Sequence, residues 1–197
     1  MKTLAMIAHP CLSESRVNKA WANALSECPN VTVRDLTSEY PNMDIDVLLE
    51  QELLLEHQRI AFLFPLYWYS SPAILKQWLD LVLQPGFAYG IGGDKLHGKE
   101  FVVATAIGSN REGYRAGNHN HFTIDELLRP FQQSVNYIGG RYLPAFCFYK
   151  SMVATDEEIA QNAKNLVAYL TNADFNPKRD HERLVVESME ALVSRVL

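Results

Sequence analysis

Residues 62–80 read FLFPLYWYSSPAILKQWLD. Three large rings, Tyr67, Trp68 and Tyr69, follow at once on an apolar run that ends at Pro65. They sit between two prolines, at neither helical nor strand spacing, so a core role does not account for them. Backbone groups of Pro65 and Leu66 can meet the polar edge of a flat heteroaromatic ring while the aromatic side chains pack beside it. A second segment, HPCLSESRVN, spans residues 9–18. It lies between a strand-like run and a helix start, where unpaired N–H groups and the helix dipole favour an anion. Ser13, Ser15 and Asn18 add short polar groups, and His9 and Arg16 can add positive charge. The plainer reading of Ser13 or Ser15 is a helix cap. A third segment, TAIGSNREGYRAGNHNHF (105–122), is long and glycine-containing, with Tyr114, His119 and His121. Long loops without structure of their own tend to be functional. The two histidines have no third ligand and no HxxxH spacing, so no metal site is expected. GxGxxG and GxxxxGK[ST] are both absent, which argues against a Rossmann dinucleotide site and an NTPase.

The elements that hold these segments alternate. Apolar runs at Lys2–Ile7, in NVTVRDL, at Ile60–Phe64, at Phe101–Ile107 and in LPAFCFY read as five strands. Between them lie helical patterns. The first carries Val17, Ala20, Trp21, Ala24 and Leu25, and the second spans Asp46–His57. A third runs from Pro72 to about Leu83, with proline in its first turn and Ile74, Trp78, Leu81 and Val82 on one face. Ile124, Leu127, Leu128 and Phe131 mark a fourth helix. TDEEIAQNAKNLVAYL is a fifth, capped by Thr155. Continuous apolar strands alternating with helices imply a parallel sheet covered on both faces. The expectation is a flavodoxin-like, doubly wound α/β domain of three layers and five strands over 1–172. A C-terminal helical arm follows over 173–197, with Leu184, Val185, Met189, Leu192, Val193 and Val196 at helical spacing. Open parallel sheets bind ligands outside the carboxyl ends of their strands. The three segments above follow the first, third and fourth strands.

The chain has 197 residues, enough for one domain with a real core. Its apolar fraction of 48% excludes wholesale disorder, and a net charge of −5 argues against a nucleic-acid partner. No apolar run is long enough to span a bilayer, and the start lacks a signal-peptide cleavage site, so a cytoplasmic protein is expected. Cys11, Cys28 and Cys147 are widely spaced and read as free thiols.

Together these segments resemble the flavodoxin-like NAD(P)H:quinone oxidoreductase family over most of residues 1–170. HPCLSESRVN is similar to the family's flavin-phosphate loop. FPLYWYSSPAILKQW is close to its FPL-x-W-[FY]…PA-x-LK-x-W segment, and Thr105–Gly108, Tyr114 and Gly117–His119 match TTGG…Y…G-x-H. GFAYGIGG and LHGK also have counterparts in a bacterial branch that includes ancillary subunits of glutathione-gated potassium efflux systems. The resemblance implies a flavin, FMN over FAD, with NADPH or NADH as hydride donor and a quinone as acceptor in a ping-pong reaction. By the match, His9, Ser15, Arg16, Val17 and Asn18 take the flavin phosphate. Pro65, Leu66, Tyr67, Trp68 and Tyr69 line one side of the ring, and Thr105, Ala106, Ile107 and Gly108 another. Tyr114 and His119 are the catalytic pair that balances charge on the reduced ring, with His121 the less favoured histidine. Ala106 and Ile107 stand where the family has Thr and Gly, and the isoleucine adds a side chain where backbone nears the flavin. A homodimer is implied, with Phe87 and Tyr89 exposed on the loop 85–93 for the partner. The alternative function is a redox-sensing regulator of a potassium–proton antiporter at the inner face of the cell membrane. A one-electron carrier fits less well, because such carriers are usually more acidic and do not need the Tyr114–His119 loop.

Overall fold

A computed structural model describes residues 1–196, with side-chain positions given for all of them except 177, 178, 180 and 190–196. Strand β1 (Thr3–Ile7) leads through a 3-10 turn at Leu12–Glu14 into α1 (Arg16–Ser26). β2 (Val31–Asp35), the short α2 (Leu36–Glu39), α3 (Val47–Glu56) and β3 (Arg59–Pro65) follow. Next come α4 (Ala73–Val82), β4 (Glu100–Ala106), α5 (Ile124–Leu127) and α6 (Arg129–Tyr137). The chain then runs through β5 (Arg141–Tyr142), β6 (Phe146–Phe148), α7 (Asp156–Thr171) and α8 (Pro177–Val196). The sheet order is β2-β1-β3-β4-β5, with β6 also on β4, and every ladder is parallel.

The period of two along each strand divides the core. Leu4, Met6, Phe62, Phe64 and Val103 join Trp78, Val82 and Phe131 on one face. Ala5, Ile7, Leu63, Val102 and Ala104 join Trp21, Leu25 and Leu166 on the other. Helices therefore cover both faces, as the continuous apolar strands require. Most expected elements appear within a residue or two of their sequence-based bounds. Pro72 is the N-cap of α4 rather than a first-turn residue, and Leu75 replaces Leu81 among its buried positions.

Two elements differ from expectation. The fourth helical pattern is divided at Leu128 into α5 and α6. Pro130, at the start of α6, has no N–H to continue the earlier ladder. The fifth strand is likewise two short pieces, β5 and β6. Pro144 stands between them, where a strand would need a backbone donor.

Two buried polar knots close the ends of the layers. Glu50 of α3 has no exposed surface and accepts from Arg34 Nη2 at 2.7 Å, Tyr40 Oη at 2.7 Å and Trp78 Nε1 at 2.9 Å. Arg59 is buried beside Glu100 and donates to the carbonyls of Leu170 and Asn172, which satisfies the end of α7. α8 leaves the body with Leu184, Val185, Val186 and Met189 exposed. The side chains of Leu192, Val193 and Val196 lie outside those described.

Candidate active site

The carboxyl ends of β1, β3 and β4 meet at one rim. Ala8 N donates to Leu63 O, and Leu66 N donates to Ala106 O. An open cleft of about 350 Å³ lies there, lined by His9, Glu14–Asn18, Pro65, Tyr67, Ala106, Ser151 and Met152. Eight of the sequence-predicted residues (His9, Ser15, Arg16, Val17, Asn18, Pro65, Tyr67 and Ala106) thus share a single cleft, along with Ser151 and Met152, which sequence reasoning missed. Both follow β6, and the rule that selects loops after parallel strands applies to that strand as well. Ser151 N donates to Ile107 O, which ties this fifth loop to the rim.

One wall of the cleft is the start of α1. Ser15 is the N-cap and accepts from Asn18 N at 3.1 Å, so the plainer reading of this serine holds. Arg16 pairs with Asp156 at 2.6 Å across an exposed surface. The positive charge expected of His9 is not there. Burial pushes its pKa below the ordinary 6.5, and its Nδ1 accepts from Cys11 N at 3.1 Å. Neutral His9 therefore carries its proton on Nε2 and acts as a donor without charge. Asn18 is buried, and its side-chain oxygen has no hydrogen-bond partner. Thr105 Oγ1, one residue before Ala106, is also buried and unpartnered.

The opposite edge is the aromatic turn. Tyr67 and Ser70 exchange both backbone hydrogen bonds, at 3.0 and 2.9 Å, so Trp68 and Tyr69 are the two central residues of a tight turn. Both have positive φ, 48° and 64°, a region that bulky side chains rarely adopt. Such strain persists only where surrounding structure imposes it, and it gathers at functional sites. Tyr67 faces His9, with ring centroids 6.2 Å apart. Trp68 is 94% exposed and does not line the cleft, contrary to the expected wall. At positive φ its side chain is turned away from the rim. Tyr69 is half exposed and donates from Oη to Asn120 Oδ1 at 3.2 Å.

The remaining predicted positions lie beneath or beside the cleft. Leu66 packs on the core, and Gly108 abuts Met152. Ile107 is wholly buried in the core, so its side chain points away from the rim. Ile107 follows the last residue of β4 and, being wholly buried, adds no surface to the cleft.

His119 is exposed but held on three sides. Its Nδ1 lies 3.0 Å from Asn118 Oδ1, and its Nε2 lies 3.0 Å from Asn120 Nδ2 and 3.3 Å from Ser109 Oγ. Those partners fit a proton on Nδ1 and a lone pair on Nε2. Its ring lies over Gly113, where a Cβ would come within 2.4 Å of Cε1. Asn120 thus links the aromatic turn to His119, a connection that polar spacing in the sequence did not signal. Tyr114 has its pKa raised, chiefly by burial and then by Tyr69. His121 adopts φ 59° on the exposed surface and has no part in this network.

The loop 85–93 also departs from expectation. Phe87 and Tyr89 are half-buried on their own chain and pack against the core, with Tyr89 5.6 Å from the Tyr137 ring. The exposed apolar residue of the loop is Ile91.

A model of a flavodoxin-like fold family matches residues 1–170. Among curated relatives, the uncharacterized NAD(P)H oxidoreductase YrkL of Bacillus subtilis is 54% identical over 86% of this chain and 98% of its own. The potassium-efflux ancillary protein KefG of Yersinia enterocolitica is 37% identical over 86% of this chain and 92% of its own. Among solved structures, one from "Streptomycin violaceusniger", named a thermophilic tryptophan halogenase, has TM-score 0.84 and 49% identity, with 87% and 99% of the two chains covered. General stress protein 14 of Treponema denticola, in complex with FMN, has TM-score 0.83 and 38% identity over 86% and 98%. An NADPH-quinone reductase from P. pentosaceus has TM-score 0.81 and 36% identity over 88% and 99%.

Proposed function

The chain belongs to that flavodoxin-like fold family, and on this premise we propose that it is an FMN-dependent NAD(P)H:quinone oxidoreductase with a ping-pong cycle. The observation that carries the reading is the single cleft joining the α1 N-terminus to the Pro65–Tyr67 edge, where the buried Asn18 Oδ1 has no hydrogen-bond partner. Buried polar groups without partners are costly, so a polar ligand suits this place. The donors suit a phosphate: the first amides of α1, neutral His9 and the Arg16 guanidinium, while Asn18 Oδ1 is an acceptor that suits a ligand hydroxyl. The turn at Tyr67–Ser70 and the rim at Thr105–Gly108 suit a planar ring. FMN fits this set; FAD is the alternative. When bound, the flavin supplies two-electron chemistry, accepting a hydride from NAD(P)H and passing it to the quinone in a separate half-reaction. Residues 1–172 form the flavin-binding domain on this reading, and 173–197 form an arm.

The protein's own part is placement and charge. His119 holds a lone pair on Nε2 and can take a proton there as negative charge develops nearby. Asn120 fixes the imidazole orientation, and Tyr114 contributes a phenol that stays protonated. The relatives named NAD(P)H oxidoreductase and NADPH-quinone reductase support this activity. The halogenase name attached to one neighbour belongs to that protein, and fold alone does not choose a chemistry. A second subunit of the same chain fits the exposed Ile91 loop and completes a homodimer. The KefG relative favours a second reading, in which the same protein docks on a potassium efflux system at the inner membrane face.

The test is a spectrum of the purified, flavin-supplemented protein, followed by NADH or NADPH and then menadione. Flavin bands that bleach on adding the nucleotide and return with the quinone are expected. A protein without flavin absorbance, or one whose bands ignore both nucleotides, ends the enzyme reading. Pull-down of a potassium–proton antiporter with an inactive quinone assay favours the regulator.

A further inference from the structure

Beside the cleft lies a larger cavity, about 600 Å³, which the flavin reading leaves unused. Its roof is the loop after β4, with Arg111, Tyr114 and Arg115. Its floor is Ala145, Cys147 and Tyr149 from β6 and the turn beyond, and Asp125 stands at one side. The volume is that of a small-ligand site.

The charges in it are arranged unusually. Arg16, Arg34, Arg59 and Arg141 each meet a carboxylate. Arg111 and Arg115 form no ion pair among the described residues, although Glu112 and Asp125 line the same cavity. Two guanidinium groups without a carboxylate partner, at i and i+4 of one loop, can donate to a phosphate from two sides, while Glu112 and Asp125 bring the cavity's formal charge to zero. The walls add a shape. The rings of Tyr114 and Tyr149, 6.4 Å apart at 53°, pack as a tilted pair and give the cavity one aromatic side against which a heteroaromatic base can lie. Burial drives the Tyr149 hydroxyl up to about 12, so that wall stays uncharged at any working pH. The carboxylates of Glu112 and Asp125 can accept from ribose hydroxyls or an exocyclic amine. Tyr114 belongs both to this cavity and to the loop that holds His119.

We propose that this cavity takes the adenosine 2′-phosphate end of NADPH, with Arg111 and Arg115 as the residues that select NADPH over NADH. The assignment rests on the reading of the protein as a nicotinamide-dependent reductase. The phosphate lies between the two guanidinium groups, and the adenine lies against Tyr114 and Tyr149.

The test has two arms. Calorimetry of the flavin-loaded protein compares adenosine 2′,5′-bisphosphate with adenosine 5′-monophosphate. The bisphosphate is expected to bind at least about 10-fold more tightly, and that advantage should vanish in the double variant Arg111→Gln/Arg115→Gln. Steady-state kinetics then give the ratio of kcat/KM for NADPH to that for NADH. The ratio should fall roughly 10-fold for each guanidinium removed and stay at the wild-type value in Lys164→Gln, on the exposed side of α7. Equal binding of the two probes in wild type overturns the assignment, and so does a ratio untouched by the double variant. Calorimetry reads the cavity even if the flavin accepts no hydride, so failure of the enzyme reading and failure of this one are separately visible.

Discussion

Replacing Trp68 by glycine should make the flavin-free protein more stable, although it removes the chain's most conspicuous aromatic residue. Trp68 holds φ 48° and is 94% exposed. A left-handed conformation costs a side-chain-bearing residue about 1–2 kcal/mol. The exposed ring buries little surface to offset that cost. Glycine removes the steric penalty but adds about 0.5–1 kcal/mol of unfolded-state entropy. The balance is a net gain of about 0.5–1 kcal/mol, or ~1–4 °C in Tm for a chain of this size. Trp68→Ala keeps the Cβ and therefore the penalty, so it should match wild type. Tyr69→Gly relieves the same strain at φ 64° but loses the bond to Asn120, worth about 0.5–1.5 kcal/mol, and should show no gain. Urea unfolding of flavin-free wild type, Trp68→Gly, Trp68→Ala and Tyr69→Gly reads all four. A Trp68→Gly protein no more stable than Trp68→Ala would show that the turn holds no strain at this position.

Three other outcomes follow from named contacts. Asn18→Ala should weaken FMN binding by about 1–3 kcal/mol in a fluorescence titration and lower flavin-free stability by less, since the oxygen had no partner and only the long 3.4 Å bond from Nδ2 to Ser15 Oγ is lost. His9 has a folded pKa below 6.5, so its contribution to stability is complete above pH 6.5 and is lost as pH falls through the lowered value. Unfolding midpoints measured from pH 7.5 downward should therefore decline, and His9→Gln should flatten that decline. Burial raises the Cys147 thiol to about 11, whereas Cys11 is exposed. Iodoacetamide at pH 8 should label Cys11 in the native protein well before Cys147, whose raised thiol pKa leaves little thiolate, as read by mass spectrometry.

The alternation of apolar runs and helical patterns was legible because both faces of the sheet are covered, and the central strands β1, β3 and β4 carry that demand in their composition. The two divided elements were less so. Pro130 and Pro144 were visible, but the spacing of Ile124, Leu127, Leu128 and Phe131 outweighed a single breaker. The site was legible where chemistry and position coincide, as in Ser15–Asn18 and the rings after Pro65. It was illegible where orientation decides. Nothing in the string says that Ile107 points into the core, that Trp68 faces solvent, or that His9 is kept neutral by its surroundings. Asn118 and Asn120 look like ordinary loop residues until the fold brings them to either side of His119.

The division of the last strand at Pro144 has a further result. A long, regular border on a parallel sheet offers a row of free N–H and C=O groups to any passing extended chain. Here that border is two residues of β5 and three of β6, parted by a residue that cannot donate. The carbonyl of Pro144 is itself taken by Tyr169 Oη at 2.6 Å. The molecule is thus poorly suited to polymerise through this side.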